Sequence, residues 1–407
     1  MPVMTPLLSF LFLGLAWTFP SMALSHRSNG GDLQDYIVVL KNDISGSPAP
    51  LAKRDSHAQW VESTVIGPRA SNGIKSHFDI GRNMTGYHGS FTQSQINEIA
   101  NSDDVALVEP DTIERVQTVV MRQDNSPWGL SRVSHAVNQY NTANGTQYLF
   151  KGNAGQGSIL YIMDTGILTT HVEFTNRIRW GANFVDNVDS DQNGHGTHVA
   201  GTSAGYSVGI AKYADVVAVK VLDRNQTGNL SSFIQGIQWV INDFKQQNFK
   251  KAVINYSAVG AVSSVRDQAI KQAIDQGIFF VAAAGNQDQD ACNYGPPNTG
   301  PNLEGQLIVA ASNYTDNPAT FTNYGSCVDV FAPGVDIHSS ICTDDTAYGD
   351  MSGTSMSAPH IAGLAAYYWS LNPNYTFSDL ANLIASNQGQ VENNFPNTPN
   401  KIGFNNV

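Results

Sequence analysis

Between residues 158 and 312, short runs of uninterrupted apolar residues alternate with helical patterns. This alternation limits the fold more than any other feature. The runs are SILYIMD (158–164), ADVVAVKV (214–221), KAVINYS (251–257), IFFVAAAG (278–285) and QLIVAAS (306–312). A strand with one wet face alternates apolar and polar residues, so runs apolar at both parities need cover on both sides. The intervening segments supply it. In LSSFIQGIQWVINDF (230–244), Leu230, Phe233, Ile234, Ile237, Val240, Ile241 and Phe244 fall on one helical face, and a second helix is predicted near 264–276. Strands and helices in this order build an α/β fold around a mostly parallel sheet.

The N-terminal part of the chain is organised differently. DYIVVLK (35–41), IKSHFDI (74–80), TGYHGSF (85–91) and VALVEPD (105–111) read as strands. KRDSHAQWVESTVI (53–66) reads as an amphipathic helix, and TQSQINEIA (92–100) as a helix opened by Thr92. The order β-α-β-β-α-β is that of a ferredoxin-like α+β unit. The polar stretch MRQDNSPWG (121–129) marks a boundary after it.

Ahead of both lies LLSFLFLGLAWTF (7–19), then Pro20 and the small-residue site SMA ending at Ala23. That is a signal-peptide pattern over residues 1–23, and it predicts a secreted, extracellular protein. No later segment reaches the roughly 18 apolar residues of a membrane helix, so no membrane partner is expected. The formal charge of −12 excludes nucleic acid, whose binding rests on Lys and Arg. Secretion permits one disulfide among Cys292, Cys327 and Cys342; three pairings are open, and one thiol is left over. Asn83, Asn144, Asn225, Asn229, Asn313 and Asn374 stand in glycosylation sequons. Asn255 also fits the pattern but falls inside an apolar strand.

Polar residues interrupt the apolar pattern where ligands sit in such sheets, beyond the carboxyl ends of the strands. Asp164 ends one strand, and Asn286 follows another after Gly285. His195 stands in NGHGTHVAG (193–201), between two glycines that let the chain turn into a helix. MSGTSMSAPHIAG (351–363) carries Ser352, Ser355 and Ser357 at the expected start of another helix. Taken singly, each of these is a turn residue or a cap. Together they supply a carboxylate to orient an imidazole, an imidazole to take a proton, a hydroxyl to attack and an amide to hold an oxyanion.

YIMDTGI, NGHGTHVAG, VAAAGN and SGTSMSAPH resemble the four signature segments of the subtilisin-like serine proteases. SPWGL, FTNYGSCVDVFAPG and the terminal TPNKIGFNN are similar to the proteinase K branch found in secreted fungal enzymes. The likeness runs from Ser126 to the C-terminus. It implies a three-layer subtilisin-like peptidase over residues 121–407, preceded by a propeptide over 24–120 that assists folding and inhibits. The order Asp…His…Ser is that family's own. By motif position the nucleophile is Ser355, the base His195, the acid Asp164 and the oxyanion amide Asn286. Ser352, Ser357, His198 and His360 take structural places.

The resemblance also implies a self-processed precursor cut between Val120 and Met121, with Arg122 offering a rival cut to a basic-specific protease. The expected partners are protein substrates and the chain's own propeptide, and the expected form is a monomer. The pairing Cys292–Cys327 follows from the contexts DACNY and GSCVD, leaving Cys342 free. Where the family shows SLGG along the substrate, this chain has Ser257, Ala258, Val259 and Gly260, and a valine there predicts a pocket for small or medium apolar residues. No cofactor is expected for the chemistry. Asp329 matches a calcium ligand, although PPNTGPNLEGQ (296–306) carries an insertion beside it. A relative that had lost its triad would act as a secreted binding protein; the intact set favours the enzyme.

Overall fold

The computed structural model describes residues 33–41, 51–67, 72–80, 84–112, 119–140, 146–247, 251–386, 390–392 and 395–407. The expected signal segment and the sequons at Asn83 and Asn144 lie outside them. The chain divides between Val116 and Gln117 into two compact units.

The first unit runs β1 (Gln34–Leu40), α1 (Leu51–Trp60), β2 (Gly73–Ile80), β3 (Met84–Phe91), α2 (Gln93–Ala100) and β4 (Val105–Pro110). Its antiparallel sheet has the order β2-β3-β1-β4. Past Trp60, α1 widens into a π-helical turn, Val61–Ile66. Thr92 opens α2 as expected: its side chain accepts from Gln95 N, and the Gln95 side chain accepts from Thr92 N, which satisfies two donors that a helix start leaves free. Val38, Tyr87, Phe91, Ile96 and Ile99 form the core beneath.

The second unit opens with β5 (Val120–Asp124), α3 (Trp128–Val133) and β6 (Gln147–Lys151). β7 (Ser158–Asp164), β8 (Ile178–Asn183), α4 (His195–Ala204), β9 (Asp215–Lys220), α5 (Leu230–Gln247), β10 (Lys251–Tyr256), α6 (Ser264–Asp275), β11 (Ile278–Ala283) and β12 (Gln306–Ser312) follow. The chain continues through β13 (Val330–Pro333), β14 (Ile337–Ser340), β15 (Tyr348–Met351), α7 (Thr354–Leu371) and α8 (Phe377–Ile384). Seven strands form one sheet in the order β13-β12-β11-β10-β7-β9-β8, parallel at every pairing.

Alternation along the strands sends side chains to opposite faces. Leu160 and Ile162 pack with Val199 of α4 and Ile361 of α7. Ile159, Tyr161 and Met163 pack with Phe233 and Ile237 of α5 and Ile270 of α6. Helix, sheet and helix make the three layers expected. Strands β8 and β13 were not legible in the sequence, because both are edges: β8 is half-buried throughout and includes Arg179 and Gly181, and β13 has four residues ending in Pro333.

The first residues of the stretch read as a polar separator belong to β5, which pairs antiparallel with β6, Val120 opposite Lys151 and Met121 opposite Phe150. Cys292 and Cys327 are joined by a disulfide, and Cys342 is a free thiol. Among the described residues no helix is long and apolar enough to cross a membrane.

Candidate active site

Asp164 is the last residue of β7 and is fully buried. β7 pairs with β9 on one side and β10 on the other. β8 and β9 lie on one side of this strand and β10 to β13 on the other, so the strand order reverses here and a crevice opens at its carboxyl end. His195 begins α4. Its neighbour Gly196 is what allows the approach: a Cβ there would stand 2.1 Å from the carbonyl oxygen of Gly166 and 3.2 Å from Asp164 Oδ1. With glycine in place, His195 Nδ1 lies 2.8 Å from Asp164 Oδ1. An ionised carboxylate only accepts, so Nδ1 carries the proton and Nε2 keeps its lone pair.

Burial works to lower the His195 pKa. The charge and hydrogen bond of Asp164, with the charge of Asp191 behind them, prevail and hold the imidazole above its ordinary 6.5. Asp164 Oδ1 also accepts from Thr165 N at 2.7 Å, while Oδ2 is buried without a hydrogen-bond partner.

Ser355 is the second residue of α7. Its hydroxyl donates to the carbonyl of Ser257 at 2.9 Å, and the Ser257 hydroxyl donates back to the carbonyl of Ser355, also at 2.9 Å. The second bond has a cause four residues on. Pro359 lies inside α7 and has no N–H, so the Ser355 carbonyl lacks its usual helical donor and is free for Ser257. Among the described residues no hydrogen bond joins Ser355 Oγ to His195. Such bonds commonly tighten only when a substrate fills the site.

Asn286 follows β11, and its amide is aimed by Thr354. The Asn286 oxygen accepts from Thr354 N at 2.8 Å and from Thr354 Oγ1 at 2.9 Å, which turns the NH2 group away from that anchor. A Cβ on Gly353 would sit 3.3 Å from Asn286 Nδ2 and 3.6 Å from the backbone nitrogen of Ser355. Glycine therefore leaves a space with two N–H donors on its wall, an arrangement suited to an oxyanion. His195, Asn286 and Ser355 line one cavity of about 200 Å³ together with Ser257, Ala258, Val259, Leu222 and Gln226. Gly260 is outside that lining; its backbone pairs with Gly295 at 2.8 and 2.9 Å.

The remaining candidates are structural. Ser352 Oγ accepts from Asp336 N, and the buried Ser357 donates to the Ala332 carbonyl. His198 and His360 are buried against the carbonyls of Ile337 and Met356. Burial pushes both down to about 4, so they stay neutral. Sequence reasoning missed Thr354, Asp191, Leu222 and Gln226. Only Thr354 carried a signal, its place in the run SGTS; Gln226 sits in an exposed turn with φ of 62°.

Asp329 offers a hard oxygen donor suited to calcium. Its Oδ2 accepts from Ile308 N at 2.7 Å, and no cationic side chain pairs with it among the described residues. Burial, only partly relieved by that bond, pushes its carboxyl up to about 7. No acidic, histidine or cysteine cluster of three surrounds it among the described residues, so further ligands would have to be carbonyls and water. The cluster that does occur, Asp35, His88 and Asp111 in the first unit, already holds the Lys75 ammonium 2.8 Å from Asp35.

Comparison with known proteins agrees across both units. The model of the subtilase family matches residues 155–404, and that of peptidase inhibitor I9 matches residues 35–117. Subtilisin-like protease 7 of Arthroderma otae is 41% identical over 353 residues, covering 85% of this chain and 84% of that protein. Subtilisin-like serine protease Pen ch 18 of Penicillium rubens is 36% identical over 409 residues, covering 92% and 81%. Among solved structures, a cold adapted subtilisin-like serine proteinase superposes with a TM-score of 0.61 at 37% identity, covering 70% of this chain and all of that one.

Proposed function

The chain belongs to the subtilase family of serine proteases, with an I9 inhibitor domain ahead of the protease, and we propose that it is a secreted, monomeric endopeptidase working through Asp164, His195 and Ser355. The observation that carries this reading is the 2.8 Å contact of His195 Nδ1 with Asp164, in a cavity that His195 shares with Ser355 and Asn286. Ser355 Oγ attacks the scissile carbonyl carbon and gives its proton to His195 Nε2. Asp164 holds the ring and balances the imidazolium. Asn286 Nδ2 and Ser355 N–H take the oxyanion. The imidazolium then protonates the leaving amine, and water, activated by the same base, releases the acyl group.

Val259 supports a preference for small or medium apolar residues just before the cut, because it lines the cavity where the family carries glycine. Each methylene in such a pocket shifts discrimination by about 1–3 kcal/mol. Processing is assigned to the bond between Val120 and Met121, a valine that fits this preference. The secretory route is supported by exposed sequons at Asn225, Asn229 and Asn374, whereas Asn255 is buried in β10 and its amide donates to Ser257. A structural calcium at Asp329 is supported by a half-buried carboxylate with no cationic partner among the described residues.

One experiment tests the reading. Purified enzyme and its Ser355→Ala form are assayed on peptides differing only at the residue before the cut. The variant should lose about a millionfold in kcat, the loss seen for the nucleophile of subtilisin itself. Ala, Val and Leu should outrank Phe and Tyr. Unchanged hydrolysis by Ser355→Ala refutes the nucleophile, and an aromatic preference refutes the pocket.

A further inference from the structure

The loop between β8 and α4 carries a buried carboxylate that the proposed triad does not use. Asp191 Oδ1 accepts from Thr165 Oγ1 at 2.9 Å, Asn193 N at 3.0 Å and Gly194 N at 2.9 Å. Its Oδ2 accepts from Thr197 N at 2.9 Å and Thr197 Oγ1 at 2.6 Å. Those five donors fall on both sides of His195 and on the residue next to Asp164. Thr165 Oγ1 extends the set by accepting from Gly196 N at 2.9 Å. One carboxylate thus ties the end of β7 to the start of α4.

The loop itself is held from beneath. Lys220, fully buried at the end of β9, pairs with Asp186 at 3.1 Å and donates to the Ser190 carbonyl at 3.1 Å. A clamp with this many donors is more than a helix cap requires, since capping asks for one or two.

We infer that Asp191 is a positioning residue for proton transfer, fixing His195 against Asp164 from the side opposite their mutual hydrogen bond. The inference rests on the proposed triad. It also has an electrostatic part, because the Asp191 charge favours the imidazolium. The other titratable groups around this corner are Asp164 on β7, His198 on α4, Cys342 after β14, and the Lys220–Asp186 pair beneath the loop, whose opposite charges offset each other. The Cys342 sulfur would be 3.4 Å from a Cβ on Gly194. His198 is neutral in the working range, and burial raises the Cys342 thiol, so neither supplies a competing charge.

The test uses the full-length chain, its propeptide removed by a separate protease so that self-processing is not required, and a fluorophosphonate probe that labels an activated serine, followed across pH. Asp191→Asn keeps the size but removes the charge and turns an NH2 toward Thr197. Labelling should slow by about 10²-fold, the cost of a misplacement near 1 Å, and its acid limb should move to lower pH. Asp191→Glu restores the charge at a different reach, so its limb should return toward wild type while its rate stays low. Should Asp191→Asn fail to fold, Asp191→Glu decides alone, and a wild-type rate in that variant overturns the inference. Asp186→Asn should lower the melting temperature without moving the limb; if it moves the limb as far as Asp191→Asn does, loop stability is the cause and the inference falls. Wild-type protein that is freed of its propeptide and still does not label, or Ser355→Ala protein that does, refutes the triad instead.

Discussion

His195 sets the pH response at the scale of single residues. A general base works only when neutral, and its raised pKa means that it becomes protonated as the pH falls through a value above 6.5. kcat/KM on an uncharged peptide should therefore hold on the alkaline side and fall on the acid side, with its midpoint above 6.5. A midpoint below 6.5 would show that burial outweighs the carboxylates. Asp164, His195, Asn286 and Ser355 were legible because each breaks an apolar run or stands beside glycine. Asp191 and Thr354 were not, for a physical reason: an acid or hydroxyl in a polar loop has many uses, and only the folded chain shows how many donors converge on it.

Helix α4 depends on Gly196 for its seat at the scale of elements. In Gly196→Ala the added Cβ would meet the Gly166 carbonyl at 2.1 Å, and backbone cannot yield as a side-chain tip can. Overpacking of this kind costs about 1–3 kcal/mol. Denaturant unfolding should register that loss, and peptide hydrolysis should fall with it, since the shift parts His195 from Asp164. Unaltered stability and turnover would show that α4 has room to move. Interior strands and amphipathic α5 were readable from side-chain period alone. Helix α7 is buried from Met356 through Trp369 with no polar face, so its pattern marks a helix without saying which side meets the sheet. The edges β8 and β13 escaped because an edge strand needs no continuous apolar run.

Calcium is the term that pH should expose in the whole molecule. The Asp329 carboxyl ionises near 7 when folded, against an ordinary 3.8. Without metal, the contribution of this one group to stability is therefore fully present below about 4 and is lost as the pH rises through about 7. An ion that binds the ionised carboxylate reverses the decline, so calcium should raise the melting temperature at pH 8 and chelation should lower it, with Asp329→Asn removing the difference. A chelator effect that persists in Asp329→Asn would place the ion elsewhere. The two-unit organisation was legible from the change in strand and helix order, but the strand that follows the junction was not. β5 is exposed at most positions and is held by backbone pairing and the Gln123 amide on the Ser207 carbonyl, and no apolar pattern records that. A peptide bond enters a protease cleft as one extended strand, with its amides turned to the enzyme. In the uncut chain the backbone around Val120 and Met121 is already paired with β6, so the proposed cut requires this end of the ladder to open first. After a cut at that bond, the same pairing closing over Met121 would act as a pawl on a ratchet, withdrawing the new amino terminus from religation.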